Sequence, residues 1–198
     1  TIYAGHALPP YDSETSTELY IMNGVFGGGF EARINMNLRE DKHWSYGMRS
    51  GIQQNTSGDQ YLAVSGSVQS DKTMESMQEI MKEFEEFVTT RPATETEVSR
   101  VKINRMRSLP GTFSTNRGFL ASIMTSDSYG LSFDYAEKLA ERIDGVTTGA
   151  VNERAQTVID PGKLTWVIVG DLSQIEDKVR SLGYGDVEVW DAFGHRVR

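Results

Sequence analysis

The spacing of apolar residues changes twice along the chain, and this change constrains the fold more than any other feature. Within 45–68, apolar residues alternate with small or polar ones, a period of two that indicates strands. Within 71–159 they recur every three or four residues, which is typical of helices with one buried face. Residues 164–170 are apolar at nearly every position, as in a strand. This order predicts an α+β fold in which helices pack on one face of a mixed or mostly antiparallel sheet.

The strands can be placed from the same pattern. Residues 2–7 are predicted to form the first strand, which ends before Pro9-Pro10. Residues 45–68 are predicted to form an antiparallel hairpin around a turn at 55–59. Because 164–170 is apolar on both sides, we expect it to lie centrally with both faces covered, and 187–190 to form a last strand. The hairpin residues expected on one face are Tyr46, Met48, Ile52, Leu62, Val64, Gly66 and Val68.

The helices are marked by apolar spacing and by their caps. One helix is predicted from Ser16 or Thr17 to the glycines at 27–29, followed by a second short helix. Thr94 and Glu97 form a capping box, so a helix should begin there and stop before Pro110. Further helices are predicted over 71–90, 117–124, 133–143 and 147–159. In the first three helices, the residues expected to face the core are Leu19, Met22 and Phe26; Phe30, Ile34 and Leu38; and Met74, Met77, Met81, Phe84 and Val88.

Length and composition narrow the class of protein. A chain of 198 residues is about the size of one domain, so 1–198 is predicted to be a single domain. The net charge of −8 disfavours a nucleic-acid partner, which would need a basic face. No apolar run approaches the roughly 20 residues that span a membrane. The absence of cysteine excludes disulfides, thiolate metal sites and a cysteine nucleophile.

The histidines give little reason to expect a metal site in this chain. His6, His43 and His195 lie far apart, and neither H-E-x-x-H nor H-x-x-E-H occurs. A site assembled from remote residues is the alternative. His43, beside Trp44, is interpreted as a polar loop residue rather than a base, because no serine or cysteine on a sharp turn lies near it.

Two other clusters have a functional and a structural interpretation. Gly27, Gly28 and Gly29 do not fit a phosphate-binding loop, because no G-K-[S/T] follows and a helix precedes them. They form either a helix cap that uses the positive φ open to glycine, or a cap together with a contact surface for a ligand. The acidic residues at 83, 85 and 86 are interpreted as a solvated helix face, with Glu83 and Glu86 pointing to water.

Arg39 and Tyr46 are the strongest candidates for binding chemistry. Arg39 ends the predicted short helix and Tyr46 begins the hairpin, so the intervening turn could bring their tips together. A guanidinium offers planar donors to carbonyl or carboxylate groups, and a phenol offers one directional donor. Together they could hold a peptide carbonyl. The alternative is that Arg39 pairs with Glu40 or a helix C-terminus and that Tyr46 is a core aromatic.

These blocks resemble a known family. Gly27-Gly-Gly-Phe30, Arg33-Ile-Asn-Met-Asn-Leu-Arg39-Glu40 and Tyr46-Gly47 are similar to the C-terminal domain of insulinase/pitrilysin-type zinc metallopeptidases, in the bacterial, mitochondrial-processing-peptidase-like branch. The end of the chain, from Trp166-Val-Ile-Val-Gly170-Asp171 onward, is similar too. The sequence departs from the family's pattern at Glu31, where serine is usual, and at His43-Trp44, where a glycine-containing turn is common.

The resemblance implies a fold and a division of labour. It implies the metallopeptidase half-domain, LuxS/processing-peptidase-like, as the C-terminal inactive half of a larger two-domain chain. Zinc and its H-x-x-E-H motif would belong to a partner N-terminal catalytic half, fused or separate. This domain alone would not be an enzyme, whereas its parent would be a zinc metalloendopeptidase.

The resemblance also implies site residues and partners. Arg39 would bind main-chain carbonyls of an unfolded peptide clamped between the halves, and Tyr46 would assist at the carbonyl near the scissile bond. Gly27, Gly28 and Gly29 would contribute to substrate contact. The alternative function is an inactive structural or assembly subunit of the same fold. For a bacterial parent, the expected location is the periplasm or cell envelope. The isolated domain would expose the face that meets its other half, and a weak homodimer through that face, which need not be biological, is one option.

Overall fold

The computed structural model describes residues 1–55, 57–132 and 134–198. The strands are β1 (Ile2–Leu8), β2 (Ser45–Gln54), β3 (Gln60–Val68) and β4 (Thr165–Ile168). The helices are α1 (Ser16–Phe26), α2 (Arg33–Asn35), α3 (Thr73–Val88), α4 (Glu95–Phe113), α5 (Asn116–Ser128), α6 (Tyr135–Gly145), α7 (Thr148–Val158) and α8 (Leu172–Ser181). A π-helix (Met36–Asp41) continues α2, and short 3₁₀ turns occupy Ser70–Lys72 and Pro161–Lys163.

The four strands of the described residues form one antiparallel sheet in the order β2-β3-β1-β4. Side chains along β1 alternate between buried and more exposed, so one sheet face is covered and the other is open. The predicted α+β class is therefore confirmed. The hairpin is also confirmed, and the side chain of Asn55 closes its turn by accepting hydrogen bonds from the backbone N–H groups of Ser57 and Asp59. Thr56, within the predicted turn, lies outside the described residues.

The predicted position of the 164–170 strand is wrong. β4 pairs only with β1 and lies at an edge of the sheet. Its side chains alternate between half-buried and exposed, and Val167 is 55% exposed. The apolar run predicted two covered faces, but only one face of this sheet is covered by helices. The predicted last strand at 187–190 is also absent from the described structure, where Trp190 and Arg196 form an isolated bridge.

The core lies between the covered sheet face and the helices. Phe26 at the end of α1 packs against Phe84 and Phe87 of α3, with ring centroids 4.6 and 5.3 Å away. All three rings are essentially fully buried, as predicted for Phe26 and Phe84. Burying one such side chain stabilises the fold by about 1.5–3 kcal/mol. These contacts fix α1 and α3 against each other.

The predicted face of α3 is only partly correct. Met77 and Phe84 are buried as expected, whereas Met74, Met81 and Val88 are only half-buried. The core-facing positions include Ile80 and Phe87 instead. Two apolar stripes run side by side on this helix, and the one that carries both phenylalanines faces the core.

Two helix boundaries differ from prediction. α4 begins at Glu95, directly after the predicted N-cap Thr94, but continues through Pro110 to Phe113. Pro110 lies in the last turn, where its missing N–H leaves only the carbonyl of the exposed Met106 without a helical partner. α6 begins at Tyr135 rather than at 133, and Phe133 lies outside the described residues.

The predicted short helix after the glycines begins later than expected and has a different pitch. α2 begins at Arg33 and passes into the wider π-helical turn. Ile34 and Leu38 are fully buried as predicted. Phe30 precedes the helix and is 50% exposed, so its predicted place in the core is wrong.

No helix among the described residues is long and apolar enough to cross a membrane.

Asn35 gives a test of how this region is held. Its fully buried side chain donates to the Phe30 carbonyl at 2.7 Å and accepts from the Met48 N–H at 3.0 Å. Asn35→Ala should lower the free energy of unfolding by about 2–4 kcal/mol, because both backbone groups lose their partner. Urea denaturation measures this loss. The exposed Asn104→Ala is the control and should change stability by less than about 0.5 kcal/mol. A loss below about 1 kcal/mol for Asn35→Ala would contradict the bridging role.

Candidate functional site

The candidate site is built where the end of α1, the glycine loop, the π-helix and β2 meet. The Ser50 hydroxyl on β2 donates to Asn23 Oδ1 on α1 at 2.6 Å, and its backbone N–H donates to the Gly27 carbonyl at 2.9 Å. Asn35 ties the π-helix side to the same strand through Met48. These buried polar contacts hold the four segments at fixed distances. The only sequence signal for these contacts is a polar residue inside an otherwise apolar block, as at Asn23 and Asn35.

The three glycines differ in whether their surroundings leave room for a side chain. The N–H groups of Gly27 and Gly28 both donate to the Asn23 carbonyl, so the predicted helix cap is confirmed. The predicted use of positive φ is wrong, since none of the three adopts it. Gly27 is needed for close approach, because a Cβ there would lie 2.4 Å from Ser50 Oγ. A Cβ on Gly29 would meet nothing within 4 Å, so its surface is open.

Arg39 is presented by the last turn of the π-helix. Its Cζ lies 4.6 Å from the centroid of the Phe30 ring and 5.1 Å from that of Tyr46. Its Nε lies 3.1 Å from Glu40 Oε1. The two terminal nitrogens make no hydrogen bond to a described residue. The guanidinium is thus oriented by two rings and one carboxylate, with donors left for a ligand.

Tyr46 is brought to Arg39 by an irregularity in the sheet. Ser45 pairs with Val68 and Gly47 pairs with Ser67, so Tyr46 is an extra residue in the ladder. Such a bulge turns a side chain away from its regular direction. Tyr46 is 90% exposed and is therefore not a core aromatic. Of the alternatives left open by the sequence, Arg39 does pair with Glu40, but Tyr46 stays available in solvent.

His43 lies in the turn between the two candidates. It is exposed, as predicted for a loop residue, and has a φ of 59°, the only positive φ of a non-glycine residue in the described chain. Its Nδ1 lies 3.1 Å from the Arg39 carbonyl oxygen. The wide π-helical turn leaves this carbonyl without a backbone partner, and the imidazole supplies one. His43 therefore helps to shape the turn that carries Arg39.

The predicted exposure of Glu83 is wrong. The residue is only 3% exposed. Its Oε1 accepts a hydrogen bond from Asn37 Nδ2 at 2.8 Å and lies 3.5 Å from Arg91 Nη1. Glu86 is half-buried and also pairs with Arg91. A buried carboxylate needs such partners, and the ones found here are 46 and 8 residues away in sequence, so helical spacing could not reveal them.

A second ion pair missed by the sequence joins the π-helix region to α4. Arg33 Nε and Nη2 donate to Glu97 Oε1 and Oε2 at 2.6 and 2.7 Å. Burial alone would raise the pKa of Glu97, but Arg33 and the Thr94 cap more than offset this and lower that pKa to about 2. Glu97 was recognised only as part of the capping box, which is confirmed.

An open cleft of about 370 Å³ lies along these ion pairs. Five carboxylates and five cationic side chains line it, together with Met36 and Asn37. Neither Arg39 nor Tyr46 lines it. The cleft is charged but nearly balanced, so it offers no strong field to a ligand of one sign.

The described residues hold no group of three or more metal-ligating side chains. His6 is buried, with Nδ1 2.8 Å from the Ala7 carbonyl oxygen, and His195 lies beside Asp191. His43 lies on the turn at Arg39. The histidines and carboxylates within residues 1–55, 57–132 and 134–198 therefore do not form a set that fits a bound zinc ion.

Comparison with known proteins gives a family and a fold. The family model described as "Peptidase M16 inactive domain" matches residues 2–105, just over half of the chain. No curated protein sequence matches. The match confirms the resemblance found in the sequence, and it covers the glycine loop, Arg39 and Tyr46.

Three solved structures illustrate the fold. The peptidase M16 inactive domain from Pseudomonas fluorescens is 18% identical, with a TM-score of 0.75 over 84% of this chain and 39% of that one. An inactive peptidase domain from Bordetella parapertussis is 11% identical, with a TM-score of 0.71 over 84% of this chain and 89% of that one. The periplasmic protease PqqL from Escherichia coli is 14% identical, with a TM-score of 0.62 over 80% and 17%. At these identities the likeness shows the fold, and the chain spans well under half of the Pseudomonas and Escherichia chains.

The glycine loop gives a matched pair of variants. Gly27→Ala should lower the free energy of unfolding by about 1–3 kcal/mol, because the added methyl would overlap Ser50. Gly29→Ala points into open space and should change it by less than about 0.5 kcal/mol. Chemical denaturation of both variants checks this. Equal stabilities would show that the loop and β2 are not held at the described distance.

The Arg33–Glu97 pair gives a pH prediction. Since the pKa of Glu97 falls from 4.5 to about 2 on folding, its stabilisation is present above pH 4.5 and is lost as the pH falls towards 2. Glu97→Gln keeps a capping side chain but removes the charge. At pH 7 this substitution should lower the free energy of unfolding by about 2 kcal/mol. The value is smaller than the full pKa shift implies, because solvent reaches the ion pair.

The measurement is urea denaturation of both proteins between pH 7 and pH 2.5. The difference in the free energy of unfolding between wild type and Glu97→Gln should shrink steadily below pH 4.5. Glu95→Gln, in the same helical turn but exposed, is the control and should show a gap of a few tenths of a kcal/mol at most. A gap for Glu97→Gln that did not vary with pH would rule out the charged pair as its source.

Proposed function

Because the chain belongs to the family of peptidase M16 inactive domains, we propose that it is the non-catalytic C-terminal half of a zinc metalloendopeptidase. Zinc and the catalytic base would be supplied by an N-terminal half, fused or separate. The role of this half would be to clamp an unfolded peptide in a chamber between the two. The lack of a metal-ligating cluster among the described residues accords with this division of labour.

The observation that carries the proposal is the pairing of Arg39 with an exposed Tyr46. Their contact, with 5.1 Å between Cζ and the ring centroid, puts a guanidinium and a phenol side by side. Arg39 would donate from its terminal nitrogens to main-chain carbonyls of the substrate. Tyr46 would donate its hydroxyl towards the carbonyl under attack. A donor of this kind contributes about 2.7–4 kcal/mol to transition-state stabilisation where it acts on the developing oxyanion.

The open sheet face supports a partner half. Tyr3, Tyr61 and Val167 are each about half exposed there, among the small residues Gly5 and Ala63. An antiparallel sheet can leave one face in water, but exposed aromatic and aliphatic side chains grouped on that face mark an interaction surface. We propose that the catalytic half covers it. We also propose a periplasmic or cell-envelope location for a bacterial parent, in keeping with the name of its Escherichia coli structural neighbour.

The test is kcat/KM of the parent chain, or of the reconstituted halves, for an unstructured fluorogenic peptide. Tyr46→Phe should lower kcat/KM by about 100-fold, chiefly through kcat, because the hydroxyl acts in the transition state. Arg39→Lys should mainly raise KM. Tyr20→Phe, another half-exposed tyrosine, is the matched control and should leave both constants unchanged.

Three other results would contradict parts of the proposal. Equal rates for Tyr46→Phe and wild type would make this half a lid without a chemical role. No activity of the wild-type parent with zinc bound would favour the alternative, an inactive structural or assembly subunit. Activity of this chain alone that survives a chelator would overturn the proposed division between the halves.

A further inference from the structure

Helix α5 turns its small residues towards the protein and its large apolar residues towards solvent, the reverse of an ordinary surface helix. It packs principally on α4, and the residues that turn inward are small: Gly118, Ser122 and Ser126. Its large apolar side chains point outward instead. Phe119, Leu120, Ile123 and Met124 are between 41% and 60% exposed. An isolated exposed leucine needs no explanation, but a stripe over two helical turns does.

The charge around this stripe is the reverse of that of the whole chain. Residues 98–126 contain five lysines and arginines and no aspartate or glutamate. Since the chain carries −8 in total, the remainder carries −13. Arg105 stacks on the Tyr20 ring of α1, whereas Arg107 and Arg117 are exposed and form no ion pair with a described carboxylate. The hairpin of α4 and α5 has three carboxylates, Glu95, Glu97 and Asp127, and all of them lie at the end away from its turn. Its net charge is +2, and the half around the turn presents a positive, partly apolar surface.

We propose that this hairpin binds the surface of a membrane that contains anionic lipids. An apolar stripe with phenylalanine and leucine, flanked by arginines, is the pattern of a helix that lies in the headgroup region. The arginines would contact lipid phosphates, and the apolar stripe would enter the upper acyl region. The binding is peripheral, and it does not depend on the proposed peptidase role.

Two other occupants, a second copy of this chain and a different protein, fit this surface less well. A second copy of the same surface would bring two sets of arginines together, which repel. The four outward side chains expose on the order of 400 Å² of apolar surface, about half of what each partner buries in a specific protein interface. An anionic bilayer needs no such area, because each cation near its surface adds its own attraction.

The experiment is sedimentation of the 198-residue chain with vesicles of phosphatidylcholine alone or mixed with phosphatidylglycerol. We expect binding to the anionic vesicles, little binding to the neutral ones, and release at about 0.5 M NaCl, where charges are screened. Arg107→Gln with Arg117→Gln should lower the partition coefficient by about tenfold or more. Phe119→Ser with Ile123→Ser should abolish binding.

Matched controls separate this surface from others. Tyr3→Ser with Tyr61→Ser removes two exposed aromatics from the open sheet face, and Lys163→Gln with Lys178→Gln removes two cations elsewhere. Neither pair should change vesicle binding. Because all substituted side chains are exposed, melting temperatures should stay near that of the wild type, and any variant that melts much earlier is replaced by its single substitutions.

Two results would overturn the proposal. One is that the wild type fails to sediment with anionic vesicles at low salt, or that the patch variants bind as well as wild type. The other is a concentration-dependent dimer in light scattering that the Phe119→Ser, Ile123→Ser variant abolishes while vesicles remain unbound. The second result would assign the surface to another copy of the chain.

Discussion

The side chain of Asn35 is the contact on which the arrangement of the candidate site depends. It is fully buried and joins the carbonyl of Phe30 to the N–H of Met48. The first group ends the glycine loop and the second lies in β2, so one amide fixes the distance between them. An apolar residue could fill the space but would leave two buried backbone groups unpaired. Tyr46 lies on β2, and Arg39 lies on the π-helix that directly follows Asn35.

The buried carboxylates beside the site also need partners, as the backbone groups at Asn35 do. Glu83 is buried and Glu97 is partly buried, and each is compensated by an arginine and by a neutral donor. Ion pairs of this kind contribute modest net stability, because desolvation offsets most of the attraction. Their effect is instead geometric, since Arg33 can satisfy Glu97 only when the π-helix region and α4 are correctly placed.

Local patterns predicted much of this fold, and long-range pairing accounts for what they missed. The hairpin, α1 and the capping box at Thr94 were predictable because their signals lie within a few neighbouring residues. The edge position of β4 was not, since an apolar run does not reveal how many neighbours a strand has. For the site, turn length alone indicated that Arg39 and Tyr46 could meet. The bulge that exposes Tyr46 and the burial of Glu83 depend on residues far away in sequence.

The bulge at Tyr46 separates two kinds of evolutionary constraint. The residues on either side of it, Ser45 and Gly47, pair with Val68 and Ser67 on β3, and Tyr46 takes no part in this pairing. Exchanging the residue at the bulge therefore leaves the pairing of the sheet intact. Selection on ligand contact and selection on folding can then act on adjacent positions with little conflict. Position 46 is then constrained by ligand contact alone, whereas Ser45 and Gly47 are constrained by the pairing of the strand.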